Sequence, residues 1–198
     1  MTATPQTPAS MRRLDTPAAR ALAGLAAALD DLQTVLRCCE RLLTELDSDE
    51  PDDLVVESLW TTALLSYDRC FTGDDGRAAL TEDDLAGTSL RGEVGEWHGV
   101  LRELRGHYAD PAANPRARFS VGAVRDDDGG AAGIAITSTE QARLDAVTVR
   151  QTGALAYQLA ERVERRVTEQ QERVRDAAGA LTAAELDRLP RIDLATDR

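Results

Sequence analysis

Two histidines and two arginines near the middle of the chain are the side chains best suited to acid–base chemistry on a phosphate ester. His98 and His107 are the only histidines among the 198 residues, and Arg102 and Arg105 lie between them. On a helix, spacings of four and three residues place His98, Arg102 and Arg105 on one face. Arginine binds phosphate oxygens with paired N–H groups, and histidine transfers protons near neutral pH. These four residues are therefore the candidate catalytic set.

A structural interpretation of the same pattern remains open. Arginine–glutamate pairs are common along the surface of long helices and contribute little to stability. Glu93, Glu96 and Glu103 are near enough in the sequence to pair with these side chains. In that case the histidines and arginines would only mark the boundary between the core and the solvent.

The sequence indicates no metal site, no cofactor site and no other familiar nucleophile site. It contains neither a glycine-rich phosphate loop nor a Gly-x-Ser-x-Gly motif. Cys38, Cys39 and Cys70 lack the spacing of zinc ligands, and we expect them to be buried thiols in a reducing cytosol. The acid-rich stretches at 74–84 and 126–128 are typical of solvated loops. We therefore predict neither a cofactor nor a metal.

The composition is that of a folded, acidic protein. Hydrophobic residues make up 42% of the chain, aromatic residues only 4%, and the formal net charge is −12 at pH 7. This charge opposes broad binding to nucleic acids or anionic membranes, although it permits a local arginine site. A membrane span needs a run of about 18 apolar residues, and the sequence has none. The N-terminal stretch also lacks the apolar centre of an export signal, so we expect a cytoplasmic protein without a membrane span.

Long amphipathic helices would hold the candidate residues in place. Thr16 and Pro17 are typical of a helix start, and residues 47–51 end that helix. A second helix follows, and we expect it to pack antiparallel to the first. The apolar stripe of the first helix has heptad spacing and needs a long partner helix, within the chain or in a second copy, so we predict a homodimer. The stripe consists of Leu22, Leu25, Leu29, Leu32, Leu36, Cys39, Leu43 and Leu46.

The rest of the chain alternates helical and strand-like patterns. A short helix is predicted from Thr81, a longer one from about Leu90, and one of more than thirty residues from about 141, with Gly179 at its end. Between the last two, residues 117–137 have the alternation of a β-hairpin. We expect its larger apolar side chains to face the helices, because a hairpin alone is marginally stable in water. These side chains are Phe119, Val121, Ile134 and Ile136.

The predicted fold is therefore mainly α: an antiparallel helical bundle of four to six helices with one inserted β-hairpin. Residues 1–15 are predicted to be a disordered tail, and residues 16–179 a single helical domain. Residues 180–198 are predicted to form a short helix, started by a capping box at Thr182, and a polar tail.

Several short stretches together resemble one bacterial group of HEPN-like helical domains, over roughly residues 52–175. The matching stretches are Leu59-Trp60, residues 66–71, residues 104–110, residues 119–124 and residues 133–135. The resemblance implies a helical bundle with a metal-independent ribonuclease activity in a defence or toxin–antitoxin system. It also implies an RNA substrate and a homodimer, because such enzymes build a composite site from two copies.

The HEPN motif is an arginine, four to six further residues and a histidine, and it fits this chain in two imperfect registers. Arg105 can take the arginine position, but Asp110 then stands where the histidine belongs, once one residue is deleted. Arg102 and His107 have suitable spacing, yet residues five apart on an ideal helix point about 140° away from each other. The second register therefore requires the helix to unwind near Gly106.

Three functions follow from these observations. In a ribonuclease, Arg102 and Arg105 would contact phosphate, and His107 or else His98 would move the proton. A non-catalytic helical dimer would act as a protein-interaction adaptor and keep only the bundle. A small-ligand sensor is the third possibility, since a bundle interior can contain a pocket.

Overall fold

Six helices and two small antiparallel sheets form the part of the chain that this computed structural model describes, residues 11–72, 79–110, 117–140 and 143–192. The predicted mainly α fold with one inserted β-hairpin is confirmed. The helices are α1 (Pro17–Leu46), α2 (Asp53–Phe71), α3 (Glu82–Ala86), α4 (Val94–Ala109), α5 (Ala146–Gly179) and α6 (Ala183–Arg188). The strands are β1 (Met11–Arg12), β2 (Ala117–Arg125), β3 (Ala131–Glu140) and β4 (Arg191–Ile192).

Polar side chains fix where the long helices begin. Thr16 accepts a hydrogen bond from the backbone N–H of Ala19 at 3.1 Å, and Pro17 occupies the first turn of α1, as predicted. Asp52 caps α2, and Asp145 caps α5. The cap at Asp145 starts α5 about five residues later than the helical pattern suggested, and residues 143–145 are not helical.

Helix α1 lies in the middle of the bundle, between α2 and α5. Helix α2 runs antiparallel to it, as predicted, and Arg69 of α2 pairs with Asp31 of α1. On the other side, Gln170 of α5 donates to the carbonyl of Ala18 near the start of α1, at 2.9 Å. Helix α4 packs on α2, and the short α3 contacts both α4 and α5.

Because α1 has two partner helices, its buried face differs from the predicted leucine stripe. Leu25, Leu32 and Cys39 of that stripe are buried, whereas its other members are only partly buried. Ala28, Val35, Cys38 and Leu42, which the stripe omits, are also buried. The 34-residue α5 supplies the long partner that the stripe requires. The stripe is therefore no longer a reason to expect a dimer, and the dimer itself stays a prediction.

Two arginines of α5 hold the segment between α2 and α4. Arg166 donates to the carbonyl of Ala79 at 2.8 Å and pairs with Asp84 at 3.3 Å. Arg162 donates to the carbonyl of Gly87 at 2.8 Å and lies 3.7 Å from the same carboxylate of Asp84. These two arginines therefore attach α3 to α5.

The two ends of the described chain meet in the smaller sheet. Met11 pairs with Ile192, and Arg12 pairs with Arg191. The predicted disordered tail over residues 1–15 is thus wrong at its end, because residues 11–12 form β1. Residues 1–10 and 193–198 lie outside the described residues. The predicted last short helix is confirmed as α6, with Thr182 and Glu185 forming its capping box.

Strands β2 and β3 form the predicted β-hairpin, slightly longer than expected. Residues 126–130 make the turn, in which Gly129 has a φ of +85° that favours glycine. The expected packing of the hairpin on the helices is wrong. Phe119, Val121, Ile134 and Ile136 are between 64% and 78% exposed. Each strand is paired with the other, and the described helices do not pack extensively against either.

Candidate functional site

His98 is buried in the contact between α4 and α2. Its ring lies against Phe71, with a centroid separation of 4.5 Å, and against Tyr67, with a separation of 5.7 Å. Nδ1 of His98 is 2.8 Å from the hydroxyl of Tyr67, and this hydrogen bond is itself buried. Only 5% of His98 is exposed. The side chain therefore belongs to an aromatic cluster of Tyr67, Phe71 and His98 rather than to an open cleft.

The surroundings of His98 favour its uncharged form. Burial lowers its pKa, and the positive charge of Arg102 lowers it further, whereas Glu82 and Asp68 act in the opposite direction. Burial also raises the pKa of Tyr67. Near neutral pH the pair consists of a neutral imidazole and a protonated phenol, joined by the hydrogen bond between Nδ1 of His98 and the hydroxyl of Tyr67. Such a pair stabilises the α2–α4 contact.

Arg102 and Arg105 share one carboxylate on α2. Nε of Arg102 lies 3.3 Å from Oδ1 of Asp68, and Nε of Arg105 lies 3.1 Å from Oδ2. The side chain of Asp68 is 11% exposed, whereas those of the arginines are 53% and 44% exposed. The two cations therefore neutralise a mostly buried acid while their own side chains stay half in solvent. The carboxylate that pairs with these arginines is therefore on α2, and it is not one of the three glutamates in or just before α4 that the sequence spacing suggested.

His107 lies apart from this cluster. Helix α4 is continuous through Gly106 to Ala109, so the unwinding that an Arg102–His107 site requires is absent. His107 is half-buried, and its ring makes an edge contact with Tyr108 at 5.8 Å. The structure thus brings together His98, Arg102 and Arg105. It leaves His107 on another side of α4.

Sequence reasoning missed the α2 side of the cluster. Tyr67, Asp68 and Phe71 supply the hydrogen bond, the carboxylate and the ring contact, and none of them was a candidate. One signal was present in the sequence. The helical pattern places Tyr67 and Cys70 on the apolar face of the helix, and the charged residue Asp68 lies between them in the chain. An acid in that position needs a cationic partner from a neighbouring helix, and α4 provides two.

Comparison with known proteins does not assign this chain to a family. No protein-family profile matches it, and no curated protein or solved structure is significantly similar to it. The resemblance to HEPN-like domains therefore stays a prediction. Only the geometry of the site bears on function.

The three cysteines are buried and free, as the sequence predicted. Burial raises the pKa of Cys39 and of Cys70 to about 12 in each case. Both are therefore protonated thiols near neutral pH, which makes them poor nucleophiles and poor metal ligands. Among the residues with a described position, no group of three or more histidine, cysteine or acidic side chains could hold a metal ion. None of the helices described is apolar enough over a sufficient length to cross a membrane.

A groove of about 1010 Å³ lies elsewhere, between the start of α1 and the second half of α5. Arg20, Arg166 and Arg173 line it together with small residues of α1. Arg20 pairs with Asp15, and Arg166 is engaged with Ala79 and Asp84, so two of its three cations already have partners. None of the four candidate residues lines this groove, and we assign it no chemistry.

Burial of His98 predicts a specific dependence of stability on pH. In the unfolded chain its pKa returns to about 6.5, above the lowered pKa of the folded state. Between those two values the unfolded chain binds more protons, so the free energy of unfolding falls as the pH decreases through this window and is fully retained above it. Urea unfolding at about pH 7.5 and about pH 5.5 measures the difference, since ordinary carboxyl groups titrate mainly below that range.

The second histidine provides the matched control for this measurement. His98→Gln should remove most of the pH dependence, because glutamine does not titrate. His107→Gln should retain it. If His107→Gln removed the dependence and His98→Gln left it intact, the assignment of this titration to the buried ring would be wrong.

Proposed function

We propose that this protein is a non-catalytic helical module that acts by binding another protein chain, and that its His98, Arg102 and Arg105 have a structural role. One observation supports this function most directly. The histidine is enclosed by Tyr67 and Phe71, while both arginines are paired with Asp68. The whole cluster connects α4 to α2.

Catalysis on RNA makes demands that this arrangement does not meet. A proton-transferring group must come within hydrogen-bond reach of the substrate, about 3 Å, in a plausible pose. His98 is 5% exposed and its Nδ1 is already bonded to Tyr67. Phosphate binding also needs free positive charge, whereas Asp68 offsets one of the two positive charges of Arg102 and Arg105, in a protein of net charge −12.

The β-hairpin is the surface best suited to binding a protein. Soluble monomers rarely expose large contiguous apolar patches, and such patches commonly mark interaction sites. Four large apolar side chains of this hairpin are exposed together, on strands that the helices do not cover. We further propose a cytoplasmic location, because three free thiols suit a reducing compartment.

A metal-independent ribonuclease of a defence or toxin–antitoxin system is the second candidate. The side chains of Arg102 and Arg105 are half-exposed and adjacent. In a site formed between two copies, a phosphate of the RNA would bind these arginines in place of Asp68. His107 or, less directly, His98 would then transfer the proton. This candidate rests mainly on the resemblance to HEPN-like domains.

An RNA-cleavage assay separates the two candidates. We expect the purified full chain to leave both single-stranded and base-paired RNA intact, with and without Mg²⁺, because His98 is buried and His107 lies apart from the two arginines. The comparison set is wild type, Arg102→Ala and His107→Ala, purified in parallel. Cleavage by wild type that is absent from both variants, with helical content unchanged, would establish the ribonuclease and refute the non-catalytic proposal. Equal cleavage by all three preparations would indicate a contaminating nuclease and leave the expected result in place.

A further inference from the structure

We infer that the β-hairpin of β2 and β3 is a self-association arm, which packs face to face and antiparallel on the same hairpin of a second copy. This inference rests on the proposed binding function and names the partner. It differs from the dimer expected from the sequence, whose basis was the stripe of α1 that α2 and α5 cover.

One face of the hairpin is apolar and uncovered. Cross-strand pairing puts Val121 opposite Ile136 and Ala123 opposite Ile134, with Phe119 at the end of the same face. The opposite face has mainly small and polar side chains, including Ser120 and Thr137. A two-stranded hairpin is marginal in water unless its apolar face is covered. Packing against a second sheet would supply that cover.

Side-chain size along each strand makes this face complementary to itself. On β2 the residues become smaller from Phe119 through Val121 to Ala123, and on β3 they end with Ser138 beyond Ile134 and Ile136. A two-fold axis that crosses the strands at Val121 would place Phe119 over Ala123 of the second copy. The same axis would place Ile134 over Ser138.

Large residues would then lie over small ones at both ends of the contact, while Val121 and Ile136 would each meet their own copy at its centre. This is how two sheets fill a space of about 10 Å. A two-fold axis along the strands would instead keep the two hairpins in the same direction and place Phe119 over Ser138 and Ala123 over Ile134 of the second copy, so side-chain size fits both orientations. Either arrangement is isologous and closes into a dimer instead of continuing into a fibre.

The charges of the hairpin favour the antiparallel orientation. Its tip has three consecutive acids, Asp126, Asp127 and Asp128, next to Arg125, whereas Arg118 and Glu140 at its root have opposite formal charges. Antiparallel packing keeps the two acidic tips apart, while parallel packing brings them together. Electrostatic repulsion between like-charged tips therefore opposes the alternative.

The size of the contact limits its strength. The two strands contain 9 and 10 residues, and only alternate residues face the partner. A standard interface uses about 20 to 30 residues on each side, so this one is small. Each copy also has a net charge of −12, which disfavours association. We therefore expect a dimer that forms at micromolar rather than nanomolar concentration.

Sedimentation of the full chain over a concentration series, from roughly 1 to 300 μM to bracket a micromolar dissociation constant, tests the inference. Wild type should pass from monomer to dimer within this range. Ile136→Arg should raise the dissociation constant by at least about tenfold, because it places a charge in the desolvated contact. Thr137→Arg is the matched control: it adds the same charge one residue along on the opposite face and should leave the constant within about twofold.

A cross-linking experiment tests which face of the hairpin lies in the contact. The native cysteines are buried, so a cysteine introduced on the hairpin would be the accessible one. Val121→Cys should form a covalent dimer with a short bis-maleimide reagent, because this position faces its own copy across the two-fold axis. Ser120→Cys, on the opposite face, should remain monomeric under the same conditions.

The outcomes distinguish this inference from the function on which it rests. A wild-type chain that stays monomeric over the whole series overturns the self-association arm, while the non-catalytic proposal stands with a different protein as the partner. A dimer that Ile136→Arg and Thr137→Arg weaken equally places the contact elsewhere and also overturns it. RNA cleavage that depends on Arg102 removes the non-catalytic proposal without affecting the dimer measurement.

Discussion

His98→Ala is expected to lower the free energy of unfolding by about 3 kcal/mol, whereas His107→Ala should change it by less than about 0.5 kcal/mol. The first change removes a buried ring from between Tyr67 and Phe71 and leaves the hydroxyl of Tyr67 without its partner. The second removes a half-buried ring that contacts its neighbour Tyr108. Urea unfolding near pH 7.5 gives both values.

The comparison bears directly on function, because the two histidines compete for the catalytic role. A catalytic histidine on the surface can be removed with little loss of stability, while a structural one cannot. Equal, small losses for the two variants would show that His98 is not part of the α2–α4 contact, and the structural interpretation of the cluster would fail with that result.

Leu32→Ala should lower the free energy of unfolding by about 3 to 5 kcal/mol. Leu32 is fully buried, at 0% exposure, on the helix that lies between α2 and α5. The substitution leaves a cavity in the core and removes the packing contacts of the leucine side chain. Thermal unfolding monitored by circular dichroism provides the measurement. The shift in Tm is converted into the change in the free energy of unfolding.

Leu36 is the matched control, since it is the same residue type one helical turn further along α1. It is only partly buried, and we expect Leu36→Ala to cost about 1 to 2 kcal/mol, because less apolar area returns to water. If both changes lowered the free energy of unfolding equally, the difference in burial between Leu32 and Leu36 would be contradicted.

Local sequence signals predicted the elements well. The start of α1 at Pro17, the pairing of α1 with α2, the hairpin and the capping box at Thr182 all depend on residues close together in the chain. Such features follow from backbone preferences and short-range hydrogen bonds. They needed no knowledge of which distant segments of the chain meet.

Features that depend on contacts between distant segments were missed. The stripe on α1 showed that a long partner was needed, but it could not show that α5, more than a hundred residues away, is that partner. Similarly, the spacing of His98 and Arg102 showed a shared face of α4, but the acid opposite that face is on α2. The hairpin's exposure was missed for the same reason: alternation identifies an apolar face without identifying what covers it.

The separation of the hairpin from the bundle has a consequence for mutational tolerance. None of the buried core residues lies on β2 or β3, so the arm and the core respond to different substitutions. A change on the apolar face of the hairpin can alter which partner is chosen while the bundle keeps its thermal stability. A change in the core can destabilise the bundle without altering that face. Under the proposed function, binding specificity and thermal stability can therefore evolve independently. The hairpin is the part in which substitutions that change binding would cost the least stability.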